Sequence, residues 1–450
     1  MNAQTRNFKK LSARYAGDTK LKKALEKASG HLFKNRQAAF EALPAGEDLR
    51  NQAQELKAYC LEHLEPLLER LEETVTQQGG KVFRAVDGES AVNYIKSLIS
   101  ARGIQRVVKG KSMTTEEIGL NHYLEALGVE VTETDLGEFI VQLAKEPPSH
   151  ILGPAIHKSQ EDVACLFQEM LGAPLCDQAE ELTMIARKHL RERFREAQMG
   201  ITGANFAVAD SGVIVLLENE GNIRYSTSIP PLHVAVMGME KVIRNFEDLA
   251  LFMELLARSA TGQKLSSYVS VLAPGEPGRE FHLVILDNGR SAIREDPAVR
   301  PVLSCLRCGS CLNACPVYRA IGGHAYGWIY SGPIGAVLSP LLLGLDQAPD
   351  LPFASTLCGA CRDICPVKMD IPGLLIELRH RIKEKGIRPW LDGFLAWISA
   401  WVTADPERMN RAGRIIRPLL PLSPSKRIRG YRQPAEESFH TFWKRTHHGK

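Results

Sequence analysis

The sequence has no apolar run long enough to cross a bilayer. Its most apolar stretch, PIGAVLSPLLLGL from Pro333 to Leu345, falls short of the ~20 residues that a hydrocarbon core demands. The opening MNAQTRNFKKLSARYAGDTK has no apolar segment of the kind a secretory signal needs, so a cytoplasmic chain without structural disulfides is expected. A dinucleotide fingerprint is missing too. GITGANFAVADSG offers Gly200, Gly203 and Gly212 without the G-x-G-x-x-G spacing, and no acidic residue stands where a bound ribose would want one. An excess of one charge is also absent overall, at 56 Lys and Arg against 52 Asp and Glu. The balance is uneven, however: residues 371–450 hold 16 basic against 7 acidic groups, leaving the first 370 with 40 against 45. Within it Arg411 to Arg432 lacks interleaved aromatics, and no known nucleic-acid module is visible, which argues against a nucleic-acid partner.

What remains is ordinary globular material. At 450 residues, 44% hydrophobic and 24% charged, the chain is long enough for roughly three domains and is not disordered. Ten cysteines are unevenly placed, with seven between Cys305 and Cys365. Cys60, Cys165 and Cys176 are isolated and read as buried small hydrophobes.

The seven carry the chemistry. CLRCGSCLNACP, with Cys305, Cys308, Cys311, Cys315 and Pro316, is the C-x2-C-x2-C-x3-C-P run of two-cluster ferredoxins. Three thiolates of one short loop wrap a cubane, while the fourth points to a second cluster. CGACRDICP repeats the ending with Cys358, Cys361, Cys365 and Pro366. Crossed ligation then assigns Cys305, Cys308, Cys311 and Cys365 to cluster 1, and Cys315, Cys358 and Cys361 to cluster 2. Ser355 occupies the place of an eighth cysteine, so cluster 2 is either three-iron or four-iron with an open corner for Ser355, water or a partner group. Zinc fits poorly, because seven cysteines fill neither one nor two tetrahedral sites.

Upstream, LKKALEKASGHLFKNRQAAFEAL and LKAYCLEHLEPLLERLEETVTQQGG have helical periodicity, the second stopped by Gly79 and Gly80. Strands are expected at Lys81 to Ala85, Arg106 to Gly110, Val129 to Asp135, His150 to Ile156, His233 to Gly238 and His282 to Gly289. Helices at 89–102, 160–170 and 179–198 lie among them, giving an α/β domain with a parallel or mixed sheet. Phe206 to Leu217 reads as a hairpin turning at Asp210, Ser211 and Gly212. Lys109 and Lys111 near a strand end are candidates for holding an anion, Glu218 and Glu220 are candidate carboxylates, and His233 is as readily structural as functional. Tyr318, Tyr326, Trp328 and Tyr330 are expected to shield cluster sulfur, and Gly322, Gly323, Gly327, Gly332 and Gly335 to turn against the first cluster loop. A helix is expected from Ile371 to Gly386. Trp390, Trp397 and Trp401 then share one helical face expected to be core or inter-domain packing, and Arg411 to Arg432 reads as an extended basic arm.

In combination, KGKSMTTEEIGLN (Lys109 to Asn121), ADSGVIVLLENEGN (Ala209 to Asn222), TSIPPLHVAVMGMEK (Thr227 to Lys241) and the two cysteine runs resemble the lactate utilization iron–sulfur proteins, B component. The resemblance implies an α/β lactate-utilization domain similar to CoA-transferase and sugar-phosphate isomerase folds, followed by a mainly helical, ferredoxin-like module with two [4Fe-4S] clusters. Its expected divisions are residues 1–75 (helical), 76–298 (α/β), 299–385 (two-cluster) and 386–450 (basic tail). It also implies electron transport during oxidation of L-lactate to pyruvate, beside two partner proteins, with the seven cysteines as ligands and no catalytic residue. Two other readings compete. In one, the α/β domain is itself catalytic, with Lys109 or Lys111 holding lactate and Glu218 as base; in the other, the clusters are structural and the chain recruits partners.

Overall fold

The computed structural model describes residues 3–388, 390–416, 437 and 439–447. They fall into two compact units divided after Arg381.

In the first unit, β1 (Lys81–Ala85), β2 (Arg106–Lys109), β3 (Glu130–Glu133), β4 (Met199–Thr202), β7 (Leu232–Gly238) and β10 (Glu280–Leu286) form one sheet in the order β1-β10-β7-β4-β2-β3. Every pairing in it is parallel. A parallel sheet is covered on both faces, so its strands must be apolar on both sides. Strand alternation distributes them: Val234, Val236, Val284 and Leu286 join Ile95 and Leu124 in one layer. Ala235, Met237, Leu283 and Ile285 join Leu64, Leu68 and Leu71 in the other. A second sheet, β8-β5-β6-β9, is built from β5 (Phe206–Val208), β6 (Val213–Glu218), β8 (Val242–Ile243) and β9 (Tyr268–Leu272). β5 and β6 are the antiparallel hairpin expected, turning at Gly212 with φ 66°.

The long N-terminal helical pattern resolves into helices Thr19–Glu41, Gly46–Glu62 and Leu64–Gln77. Asp18 caps the first by accepting from the Lys20 and Leu21 N–H groups, supplying acceptors that a helix start lacks. These helices do not form a separate layer. Leu21, Leu25, Leu56 and Leu61 share a core with Val302, Leu312, Tyr318 and Ile334 of the cysteine-bearing segment.

Several expectations are corrected. His150 to Ile156 is not a strand: it forms a closed loop with Ser149 N bonded to Pro154 O. Inside it, His150 Nδ1 accepts from the Leu152 and Gly153 N–H groups, which removes those donors from any sheet. β4, β8 and β9 were not expected. β4 is short and contains Gly200, where a Cβ would stand 1.8 Å from Ser226 O, so close helix packing has stripped the strand of side-chain signal. Cys60 is buried as expected, but Cys165 is exposed, since helix Gln160–Leu171 turns Ala164 and Phe167 inward instead, and Cys176, beyond that helix, is half-buried.

The second unit contains helices Trp390–Thr403, Pro406–Ile416 and Phe439–His447. Trp397 and Trp401 are 61% and 51% exposed, so these two tryptophans are not core. Arg408 instead lies over the Trp401 ring at 4.5 Å and donates to the Trp401 carbonyl. Residues 411–416 of the expected extended arm are helical; residues 417–432 lie outside the described residues. Among the described residues no helix is long and apolar enough to cross a membrane.

Candidate iron–sulfur site

The two cysteine runs fold alike. Arg307 (φ 61°) and Leu357 (φ 54°) are left-handed immediately before Cys308 and Cys358, and Gly309 (φ 76°) and Gly359 (φ 85°) are left-handed immediately after. A short helix follows each glycine, Ser310–Ala314 and Ala360–Asp363. Left-handed conformations at non-glycine residues cost energy and persist where surrounding structure imposes them. Here they turn consecutive cysteine side chains toward one centre.

Cys305, Cys308, Cys311 and Cys365 line one cavity together with Ile151, Ile334, Val367 and Met369. Burial, reinforced by the neighbouring Cys305, Cys308, Cys361 and Cys365, pushes the Cys311 thiol well up. Burial followed by Cys308 pushes Cys365 to about 12. Cys315 and Cys361 are buried and face each other and Cys358. Cys358 is exposed, and the Ala360 N–H and the Thr356 hydroxyl pull its thiol down. Ser355, three residues before Cys358, accepts through Oγ from Leu357 N at 3.0 Å.

Buried thiols crowded this closely are poor acids by themselves, and bound metal ions deprotonate them outright. The surroundings suit an anionic group. Arg307 N donates to Cys305 Sγ at 3.4 Å and Tyr318 N to Cys315 Sγ at 3.5 Å. Arg36 Nη2 donates to Ile364 O at 2.7 Å, and Arg50 donates to the Cys365 carbonyl at 2.8 and 3.0 Å. Burial, then Arg50, lowers Arg36 to about 10, while Cys308 and Cys365 oppose that shift. The donor set and its cationic cage fit iron–sulfur clusters.

Arg36 and Lys57 are site residues that sequence reasoning missed. The signal was present: Arg36 continues the buried stripe Leu21, Leu25, Ser29, and Lys57 lies in the stripe Ala53, Leu56, Cys60. A charge on the apolar face of a helix marks a buried partner.

Polar contacts join the cysteine loop to the parallel sheet. Arg290 forks onto Glu117, Nη1 to Oε1 at 2.8 Å and Nη2 to Oε2 at 2.7 Å, and Arg290 Nε reaches Glu240 Oε2 at 2.8 Å. Glu240 Oε1 then meets Arg307 Nη2 at 3.3 Å, Tyr330 OH donates to Glu117, and Lys57 Nζ donates to the Glu240 carbonyl. Tyr318, Tyr326 and Tyr330 are fully buried and Trp328 is half-buried. Of the expected glycines, Gly332 packs on Leu312 of the cysteine run, whereas Gly323 packs on Ser149, where a Cβ would stand 1.7 Å from its carbonyl oxygen.

Of the other candidates, Lys109, Lys111, Glu218 and His233 are held in structural contacts. Lys109 is wholly buried, paired with Glu133 at 2.7 Å and Glu116 at 2.9 Å, and holds no free anion site. Lys111 donates to the Leu152 carbonyl. Glu218 accepts from the N–H groups of Ile223 and Arg224, both at 2.8 Å, and so caps helix Asn222–Ser228 instead of serving as a base. Glu220 accepts from Leu136 N at 3.0 Å. His233 is buried with Nε2 2.9 Å from Thr202 Oγ1.

Two family models match the chain: a LUD domain over residues 68–289 and a 4Fe-4S dicluster domain over residues 301–369. Lactate utilization protein B of Bacillus cytotoxicus is 43% identical over 447 residues, covering 95% of this chain and 94% of that protein. The protein of the same name from Bacillus pumilus is 44% identical over 466 residues, covering 99% and 98%. A solved structure described as a DUF162 family protein from Deinococcus radiodurans aligns with half of this chain and 98% of its own, at 13% identity and a TM-score of 0.29, and carries no argument about the fold.

Proposed function

The chain belongs to the lactate utilization protein B family, and from that premise we propose that it is the iron–sulfur electron-transfer component of a bacterial system oxidising L-lactate to pyruvate. The observation that carries this reading is the gathering of seven cysteines into two adjoining groups, one enclosed and one reaching the surface at Cys358. Cys305, Cys308, Cys311 and Cys365 hold a [4Fe-4S] cluster; Cys315, Cys358 and Cys361 hold the second, with Ser355 beside its open corner. When bound, such clusters accept and release single electrons. The chain's own part is to enclose the first group, surround it with Arg36, Lys57 and Arg307, and expose the second. Positive charge around the first favours its reduced form, against the burial that disfavours added negative charge. The reading includes a division into helical, α/β, two-cluster and tail segments, a resemblance of the α/β part to CoA-transferase and sugar-phosphate isomerase folds, two partner proteins, and a cytoplasmic setting.

The test is anaerobic purification with iron and sulfide quantification and low-temperature EPR. About eight irons per chain are expected for two four-iron clusters. Reduced-cluster signals should appear with L-lactate only when the partner proteins are present. Reduction by lactate in the chain alone, free of contaminating flavoprotein, would overturn the relay, as would clusters that no lactate mixture reduces.

A further inference from the structure

In an open α/β sheet, ligands bind beyond the carboxyl ends of the strands where strand order reverses. Here the chain moves outward from β2 to β3, then returns through β4 to β7 and β10, so the reversal lies between β2 and β4. A cleft of about 380 Å³ opens at that place, within the ~300–1,000 Å³ typical of small-molecule sites. Its walls are the segments that follow four parallel strands: Lys111 and Ser112 after β2, Asp135 after β3, Gly203 to Asn205 after β4, and Glu240 and Lys241 after β7. Its far wall is the first cysteine loop, Leu306 to Cys308.

The cleft is electrically two-ended. On the cysteine side stand Lys241 and Arg307. The Arg307 side chain is 9% exposed, and while its Nη2 meets Glu240, its buried Nη1 has no hydrogen-bond partner. Lys241 is 9% exposed and lines the cleft. A buried donor without an acceptor is costly unless a ligand completes it, and an anion would satisfy both it and the Lys241 ammonium. Toward the sheet stand the carboxylates of Asp135 and Glu220, which accept, and Asn205, whose Oδ1 accepts from Leu217 N and whose amide NH2 can donate to a hydroxyl oxygen. A ligand satisfying both ends carries a carboxylate for the cations and a hydroxyl to donate to the acceptors.

We propose that this cleft binds a small 2-hydroxycarboxylate, its carboxylate on Lys241 and Arg307 and its hydroxyl toward Asn205 and Glu220, directly against the loop that carries Cys305 and Cys308. The identity of the acid rests on the lactate reading above; the site itself rests on the reversal point, the unpartnered Arg307 Nη1 and the Lys241 side chain lining the cleft. It makes this chain a sensor or holder of the acid beside the first cluster, without assigning it any bond-breaking step.

The experiment is isothermal titration of the anaerobic, cluster-loaded chain, without partners, using L-lactate and propionate, which lacks the hydroxyl. Saturable L-lactate binding is expected, with propionate at least tenfold weaker. Lys241→Met should weaken L-lactate at least tenfold at unchanged iron content, and Lys241→Arg should recover most of the loss. Lys241→Met leaves Arg307 in place, so it tests the site without requiring an Arg307 variant to fold. No saturable binding, equal binding of propionate, or a Lys241→Met variant that shifts the cluster potential while keeping L-lactate affinity would overturn the proposal. The relay is read separately, by lactate-driven reduction in the presence of partners. Reduction without binding sinks the cleft and spares the relay, while binding without reduction does the reverse.

Discussion

Replacing Arg290 with methionine removes the guanidinium that bridges Glu117 and Glu240 at the junction of the parallel sheet and the cysteine loop. All three side chains are at most 2% exposed. After the change Glu117 keeps Asn288 Nδ2 at 2.7 Å and Tyr330 OH at 2.8 Å, and Glu240 keeps Arg307 at 3.3 Å, but two buried carboxylates then share one cation. Removing one partner of a buried ion pair costs about 3–5 kcal/mol, because the remaining charge is left uncompensated. Glu240 gives an independent measure. Burial pushes its carboxyl up, yet Arg290, then Arg307 and Lys241, outweigh that and hold it at about 2. Moving a carboxyl from its ordinary ~4.3 to about 2 is worth about 3 kcal/mol, the same scale. The sign is that of a depressed acid: this stability is complete above about pH 4.3 and lost as pH falls toward 2, so at pH 7 Arg290→Met feels all of it. At about 2 °C per kcal/mol for a large unit, melting should drop by about 6–10 °C. The assay is anaerobic calorimetry at pH 7 and a fixed scan rate, because large metalloproteins often unfold irreversibly. Glu117→Gln in the Arg290→Met background should restore part of the loss, since the two residues couple. A melting point within about 1 °C of the parent at equal iron content, or strict additivity in the double variant, would refute the reasoning.

Burial, and then Arg279, holds His233 down at about 3, so it is neutral when folded, whereas the unfolded chain binds a proton below about pH 6.5. Its stabilisation is complete above that pH and declines below it, by about 1.4 kcal/mol at pH 5.5; His233→Gln, which can still bond Thr202, should flatten the melting profile between pH 7.5 and 5.5 by that amount. Gly200→Ala would set a methyl 1.8 Å from Ser226 O and should cost about 1–3 kcal/mol of overpacking, read as a lower urea midpoint. On the proposed ligand sets, Ser355→Cys supplies an eighth thiolate, and iron analysis after brief air exposure should find about one more iron retained per chain than in the parent.

The cysteine runs were legible because their function depends on local spacing: a loop that wraps a cubane needs its thiols within a few residues of one another. The strands of the parallel sheet were legible where both faces are apolar, as in β7, whose seven residues are all buried. β4 was lost because its central role is achieved by a glycine, and a residue without a side chain contributes nothing to periodicity. The loop at His150 was misread because HILGPAI is apolar enough for a strand. Its backbone donors are instead taken by its own imidazole, and its apolar residue Ile151 lines the cysteine cavity. Neither fact is local to the segment. Arg36 and Lys57, charges on buried helix faces, showed only that some partner is buried; the partners themselves, like that of Arg50, are not local, lying 328, 183 and 315 residues away.

Those long-range contacts also argue against treating the LUD and dicluster matches as separable modules. The first cysteine loop is tied to the sheet through Arg307, Glu240 and Arg290, and its short helix is tied through Ser310 Oγ to the Ser259 carbonyl and through Asn313 to His150. The second run is clamped from the N-terminal helices by Arg36 and Arg50 through backbone carbonyls, contacts that do not depend on which side chains the second run carries. Excising residues 299–385 would expose Val302, Leu312, Tyr318 and Leu375, all completely buried, and leave Arg307 without its carboxylate. Such a fragment, reconstituted with iron and sulfide, should hold fewer irons than the full chain and lose them faster to a chelator; equal retention would show that the cysteine segment builds its own enclosure and that the contacts across the sheet serve something other than cluster stability.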